Sequence, residues 1–431
     1  MSVAENKSYW SIVRAQLAKN KVAMFGVWCV VFLFLLATYA PVIASDRPYF
    51  YFGPDEQSSP WLRDLFDHNE VSQPVDLFFN LLMLYLPLAA VVFWLVRRRS
   101  IATAAWRARR AVWTLVGLGA VNLWIFMGIF LSVEQDWAKV ALAPGMALRS
   151  SKPIVDYHEK IAAAVAAGHD VTYLFPPAPY HYEKTRPREQ MVRPDFFLGP
   201  TLTERGAVGK HALGTELAGK DVLTRLLYGT RISMTIGVIA VAIYCTIGII
   251  VGSLAGYFGG WIDIAISRVI EIVISFPPLV FLLAVVSFFP QRSIFLIMVA
   301  IGVISWPGVA RLVRGEFISQ RGQDYVTAAR GLGIPQRRII FRHVLPNALT
   351  PVLVAATFGV AAAILIESTL SFLGLGDPTA SSWGSLLNLG RHNTQASWLI
   401  LAPGIAIFFT VTAFNLVGEG LRDALDPKLR Q

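Results

Sequence analysis

Apolar runs of about 20 residues alternate with polar stretches along the chain. Eight runs are long enough to cross a ~30 Å hydrocarbon layer as helices: residues 22–44, 77–96, 111–133, 232–256, 272–289, 293–309, 351–373 and 398–417. Pro277, Pro278, Pro307 and Pro403 fall within them. Spans tolerate proline because neighbouring helices and waters take up the freed backbone groups. The polar stretches are unequal. A tail covers 1–21 and a loop 45–76, and the hairpin 77–133 turns through an arginine-rich segment. Residues 134–231 form a long segment rich in proline. There we expect irregular structure with one short helix near 155–167. Residues 232–431 hold five spans and one large loop, 311–350. The pattern predicts an all-α polytopic membrane protein of about eight spans.

Composition agrees. Charged residues are 15% of the 431, where soluble globular chains carry about 25%, and the apolar set is 55% with mean hydropathy +0.53. This excludes an ordinary soluble enzyme and a disordered chain. Cys29 and Cys245 both lie in apolar runs, which excludes a disulfide framework or a cysteine metal site. The net charge of +10 reads as topology. Arg97, Arg98, Arg99, Arg107, Arg109 and Arg110 turn the hairpin, and Arg314, Arg321, Arg330, Arg337, Arg338 and Arg342 fill the large loop. Short loops of opposite parity are poor in basic residues. The basic side is cytoplasmic, so both termini are cytoplasmic, and 45–76 and 134–231 are exoplasmic. No nucleic-acid partner is needed. The first span is long and lacks a small-residue cleavage site, so it reads as a retained anchor rather than a cleaved signal peptide.

Two stretches imitate catalytic motifs. Gly214-Thr-Glu-Leu-Ala-Gly219-Lys220-Asp221 nearly fits a phosphate loop, but Asp221 stands where Ser or Thr would bind magnesium, and Glu216 adds a second repelling charge. His158-Glu159 opens like a zinc-protease helix, but the second ligand position is Ala162. His158, His169 and His181 read as solvated loop histidines. No catalytic residue, cofactor site or metal site is expected in this chain.

The large loop is the most informative stretch. Asp324 is a candidate helix N-cap. Tyr325 to Arg330 can form one or two turns, and Gly331 or Gly333 can take the left-handed conformation that ends them. Pro335 suits the start of a second helix, 336–345, which Pro346 should stop. Ala328 and Ala329 are small, which lets a partner's surface approach closely. The alternatives from residues alone are a docking helix and a solvated loop whose alanines serve helix propensity.

Thr327-Ala328-Ala329, then Gly333, then Leu345-Pro346, resembles the EAA loop of binding-protein-dependent ABC importers. Thr327 stands where that family has glutamate, and His343 where isoleucine is usual. Further stretches are similar to the family in order: His211 to Ser233, Ala255 to Asp263, Phe341 to Asn347, Leu370 to Gly376 and Asn415 to Pro427. Together they resemble the C-type permease subunit of the oligopeptide/dipeptide/nickel group, over about 200–431 plus the first span. The hairpin 77–133 and much of 134–231 are outside the common pattern. The resemblance implies a type I importer transmembrane domain carrying an extra hairpin and an enlarged exoplasmic segment. It implies a coupling loop formed by Asp324, Tyr325, Thr327, Ala328, Ala329, Arg330, Gly331, Gly333, Leu345 and Pro346 that docks on an ATPase. The implied partners are a homologous B-type permease, two ABC ATPases that use ATP and magnesium, a periplasmic or lipoprotein solute-binding protein, and membrane lipid. The implied cargo is di- and oligopeptide, with nickel or another small solute as the alternative. A bulky charged residue at Ala329 is expected to uncouple ATP hydrolysis from transport.

Within the spans, Gly248, Gly252 and Gly256 recur every four residues and predict close helix contact. Glu367 lies deep in the seventh span. It either lines a translocation path or is hydrogen-bonded within its own bundle. The rival classes are an ion-coupled secondary transporter, which would need charged midplane groups in repeated halves, and a membrane enzyme housed in the polar segment.

Overall fold

The computed structural model describes residues 9–65, 73–99, 117, 119, 156–195, 202–203, 206–207, 210–290 and 292–425. In chain order these form α1 (Tyr9–Lys19), α2 (Lys21–Thr38), α3 (Ala40–Ile43), β1 (Phe50–Phe52), β2 (Gln57–Ser58), α4 (Pro60–Asp64), α5 (Pro74–Arg99), α6 (Tyr157–Ala166), β3 (Thr172–Leu174), a 3-10 turn (Pro187–Glu189), β4 (Leu202–Thr203) and β5 (Gly206–Ala207). Then follow α7 (Val222–Phe258), α8 (Gly260–Ser275), α9 (Pro278–Ser287), α10 (Ile294–Arg321), α11 (Asp324–Gly331), α12 (Gln336–Ile339), a π turn (Ile340–Val344), α13 (Leu345–Phe372), α14 (Trp383–His392) and α15 (Trp398–Leu425).

Among the described residues, six helices are long and apolar enough to cross a membrane, and a seventh span exists if the bent pair α8–α9 counts as one. Of the expected span 111–133 only residues 117 and 119 are described, both helical, and the rest lies outside the described residues. The expected span 272–289 is corrected. It is the end of α8 and all of α9, broken by 80°. The cause is local: proline disfavours the helical region for the residue before it, and Phe276 is extended (φ −89°, ψ 133°) ahead of Pro277.

The chain divides into two compact units: Met1–Leu33, Ile232–Pro378 and Ser382–Gln431 in one, Phe34–Arg231 and Thr379–Ser381 in the other. In the first, α7 and α10 touch through glycine. A Cβ at Gly248 would sit 2.7 Å from Val309 Cβ, one at Gly252 2.8 Å from Val313 Cβ, and one at Gly256 2.6 Å from Phe317 Cβ. Only glycine permits this approach of backbones. A cavity of about 260 Å³ opens among α7, α10 and α13, lined by Tyr244, Ser305, Ala355, Gly359 and Ala362.

The second unit is less irregular than its prolines suggest. β1 pairs antiparallel with both β2 and β3, with Tyr51 opposite Ser58 on one side and Tyr173 on the other. Two or three residues of alternation per strand are too few to register in the sequence. The short helix expected near 155–167 is α6. Asp156 caps it, accepting from the backbone of His158 (3.0 Å) and Glu159 (3.4 Å). Tyr51, Tyr157 and Ile161 form a small core under the sheet.

The phosphate-loop look-alike leads into α7. Asp221 accepts from Thr224 N (2.7 Å) and Thr224 Oγ1 (2.8 Å), so the acid that spoils the motif is a helix cap. Glu216 pairs with Arg225. His211 is fully buried, with Nδ1 2.9 Å from Asp221 and Nε2 3.2 Å from Glu189. Burial opposes its protonation, but the bonds to Asp221 and Glu189 prevail and raise its pKa above the ordinary 6.5. His158 is not simply solvated: it stacks on Phe175 at 4.5 Å, with Nε2 2.9 Å from the Pro179 carbonyl.

Arg231 is also fully buried. Its guanidinium donates to Ala37 O (2.7 Å), Asp76 Oδ1 (3.1 Å) and Asn80 Oδ1 (2.9 Å), and lies over the rings of Phe79 and Tyr228. Tyr182 donates to the other Asp76 oxygen at 2.8 Å.

Candidate functional site

The large loop is an elbow of defined shape. α10 runs on from its apolar stretch to Arg321, so 311–321 is helix. After Gly322 the chain turns into α11. Its N-cap is Gln323, and Asp324 is the first helical residue, where a carboxylate favours the positive helix end. This corrects the expected cap. Gly333 supplies the left-handed corner, at φ +72°. Gly333 N donates to Arg330 O (3.0 Å) and Ile334 N to Ala329 O (3.1 Å), the paired bonds of a Schellman end. Gly331 stays in the helix. Pro335 is the N-cap of α12.

Pro346 does not stop the helix that starts at Gln336, contrary to the expectation. It sits in the first turn of α13, directly after the π turn Ile340–Val344. Proline removes one donor and crowds the carbonyl four residues back. The wider π turn absorbs that conflict, and the helix passes through.

α11 has two sides. Val326 and Ala329 are buried, while Asp324, Tyr325, Thr327, Ala328, Arg330, Gly331 and Gly333 are exposed. The paired alanines therefore separate: Ala329 packs inward and Ala328 faces out. Leu332 (80% exposed) and Phe341 (67%) add exposed apolar area on the same loop. Leu345 is half-buried and Pro346 exposed.

Three arginines tie the elbow to the junction of α7 and α8. Arg314 holds Asp263, through Nε and, at 2.7 Å, Nη2. Arg321 Nη1 donates to the carbonyls of Gly256 and Tyr257, both at 3.3 Å. These are end carbonyls of a helix, which favour a cation. Arg330 lies over the Tyr257 ring at 5.4 Å. Asp263 is thus a strut of the elbow. The only sequence signal was its place in the quoted stretch Ala255 to Asp263.

Glu367 lies away from the elbow. It is buried, and its carboxylate accepts from Ser371 Oγ (2.7 Å), Ser368 Oγ (3.4 Å) and Ser382. Ser382 caps α14, accepting from Ser385 N at 3.2 Å. The observed arrangement is a carboxylate held within its own bundle, clasping α14 against α13. A Cβ at Gly384 would lie 2.6 Å from Ser368 O, so the two helices meet closely there.

Comparison with known proteins matches this architecture. Residues 248–431 match the family described as binding-protein-dependent transport system inner membrane component. Residues 8–65 match the N-terminal TM domain of oligopeptide transport permease C. The chain is 46% identical over 224 residues to the oligopeptide transport system permease protein OppC of Haemophilus influenzae, covering 52% of this chain and 72% of that one. It is 40% identical to the dipeptide transport system permease protein DppC of Alkalihalophilus pseudofirmus, covering 54% and 76%. It is 39% identical to the glutathione transport system permease protein GsiD of Pectobacterium atrosepticum, covering 52% and 75%. With ordered matches over the first span and over the helices that carry the elbow, the chain belongs to the binding-protein-dependent transport system inner membrane components, as a C-type permease of the oligopeptide and dipeptide group.

Proposed function

We propose that this chain forms half of the translocation pore of an ATP-driven importer of di- and oligopeptides, with a homologous B-type permease as the other half. Two ATPase subunits bind and hydrolyse ATP with magnesium. This chain holds no cofactor and carries no chemistry of its own. The α11 elbow lies in the cytoplasm, where the arginine distribution puts it, and seats in a cleft of one ATPase. Closure of the ATPases pushes the elbow, and α10 and α13 pass that motion to the spans as alternating access. The exoplasmic segments, 134–231 and the loop 374–397, receive a solute-binding protein. The glycine contacts of Gly248, Gly252 and Gly256 keep α7 and α10 moving as one body.

The observation that carries this reading is the outward face of α11. It is small at Ala328, apolar at Leu332 and rigidly tied behind by Arg314, Arg321 and Arg330. A lever needs such a grip and such a fixed base. The structure also chooses the probe. Ala329 is buried, so a bulky charge there would disrupt the elbow itself, whereas Ala328 reports on docking. In the co-purified complex, Ala328→Arg is expected to release the ATPase subunits and abolish ATP-dependent peptide uptake while this chain keeps its thermal stability. Full ATPase retention and full uptake by that variant would refute the docking role.

A further inference from the structure

Three helices of the first unit, α7, α10 and α13, meet around the cavity of about 260 Å³. Its walls are low because their residues are small: Gly308 on α10, and Ala355, Gly359 and Ala362 on α13. The last three fall within about 60° of one another on the helical wheel, and no other residue between them shares that arc. Tyr244 of α7, Ser305 of α10 and Gly359 of α13 lie ~21, ~24 and ~21 Å from Phe258, Arg321 and Leu345, the helix ends nearest the elbow. They therefore share one level, inside the apolar runs.

Two hydroxyls open into this space. Tyr244 is only 6% exposed, and its ring reaches α13, where a Cβ at Gly359 would fall on the hydroxyl. Ser305 is half-buried. Other span hydroxyls, those of Thr246, Thr369 and Thr410, satisfy themselves on the carbonyl four residues back. Ser305 does not, and among the described residues neither it nor Tyr244 has a hydrogen-bond partner. Within a membrane such hydroxyls find partners only in what enters the cavity.

The lining sets the chemistry of that ligand. It holds no charged side chain, so the ligand is neutral. Water alone is a poor filling. At ~30 Å³ each about eight waters would occupy the space, and two hydroxyls hold one or two of them. An acyl chain matches the walls but offers the hydroxyls nothing. A cavity of ~150 Å³ already admits benzene, so this one admits a ring with a substituent or a fused pair. We propose that the cavity binds a neutral aromatic ring bearing one hydrogen-bonding group, a phenol or an indole, with Tyr244 and Ser305 as its polar partners. The ring arrives either as a side chain of a passing peptide or as a free solute dissolved in the membrane.

The test uses the assembled complex in detergent, with fluorine NMR of 4-fluorophenol and of fluorobenzene, which differ only in the hydroxyl. Ala362 is exposed, and Ala362→Phe fills the cavity from that side. Its signal serves as the baseline for partition into detergent. Above that baseline, wild type should bind 4-fluorophenol. The double variant Tyr244→Phe, Ser305→Ala should bind it about fivefold more weakly, with fluorobenzene within twofold of wild type. Wild-type binding no stronger than in Ala362→Phe overturns the proposal, as it would if the second permease filled the cavity. Equal weakening of the two probes overturns the role of the hydroxyls. Should Ala362→Phe fail to assemble, the comparison of the two probes in the double variant still decides. Uptake into vesicles then separates the sources. A threefold fall in the Ala-Tyr to Ala-Ala ratio in the double variant assigns the site to cargo side chains, and an unchanged ratio with binding intact assigns it to a free solute. Only this last arm rests on the peptide reading above. If the wild-type complex imports no peptide, that reading fails, and the NMR result still decides the site.

Discussion

Asp76 is the point where a perturbation should tell most about the added hairpin. It stands at the start of α5, next to the segment that the family pattern lacks, and its partner Arg231 belongs to a stretch similar to the family. The Arg231 side chain is 0% exposed and that of Asp76 5%. Asp76→Ala leaves a buried guanidinium without its counter-charge, which costs about 3–5 kcal/mol. It also strands the Tyr182 hydroxyl, now 2.8 Å from Asp76 Oδ2. Asp76→Asn keeps a hydrogen-bond acceptor and should cost less, about 1–3 kcal/mol. Replacing both charges, with Asp76→Ala and Arg231→Met, should recover most of the loss, because no buried charge then remains unpaired. Amide hydrogen exchange in the first turns of α5 is the assay. A loss of 3–5 kcal/mol corresponds to exchange faster by roughly 10²- to 10³-fold or more in those turns. The double variant should lie within about tenfold of wild type. Unchanged protection in Asp76→Ala, or additive losses in the double variant, would refute the idea that this ion pair fastens α5 to the ends of α2 and α7.

The remaining expectations are independent of that clamp. His211 has a raised pKa, so the stability it contributes is fully present below 6.5 and is lost as pH rises through the raised value. The groups facing it are Asp221, Glu189 and the stacked Tyr180, with Arg186 over that ring. Hydrogen exchange in 186–195 and 210–222 should accelerate with rising pH beyond its intrinsic dependence, and His211→Gln should remove the excess; an unchanged excess would rule His211 out as its source. Gly252→Leu should separate α7 from α10, since even a Cβ there approaches Val313 Cβ to 2.8 Å and the Ala310 carbonyl closer still. The cost should be about 1–3 kcal/mol or more, read as a lower melting temperature in detergent, and a variant that melts like the wild type would disprove the close approach. Gly333→Ala forces an alanine to φ +72° and should cost about 1–2 kcal/mol. Circular dichroism of the complex should show unchanged helix content while ATPase coupling weakens; normal coupling would mean the corner tolerates a side chain.

Much of this protein was legible in the chain itself. Span positions follow from the length of apolar runs, because a membrane offers no partner to an open backbone and forces whole helices. The expected sidedness rests on arginines counted loop by loop. The elbow's turn chemistry was readable because Gly333 and Pro335 act on their own neighbours. The break at Phe276 was equally local, although composition alone let it pass as one span. What only the tertiary structure decided are pairings between distant segments. Periodicity shows that a residue lies on a face but not which helix meets that face. Thus Ala329 turned inward while Ala328 stayed out, and Asp263 met Arg314. Glu367 found serines from its own helix and from the approach to α14. Arg231 gathered acceptors from residues 37 to 80. Each depends on which helices become neighbours once buried polar groups must all find partners, a condition on the whole bundle that no single segment records.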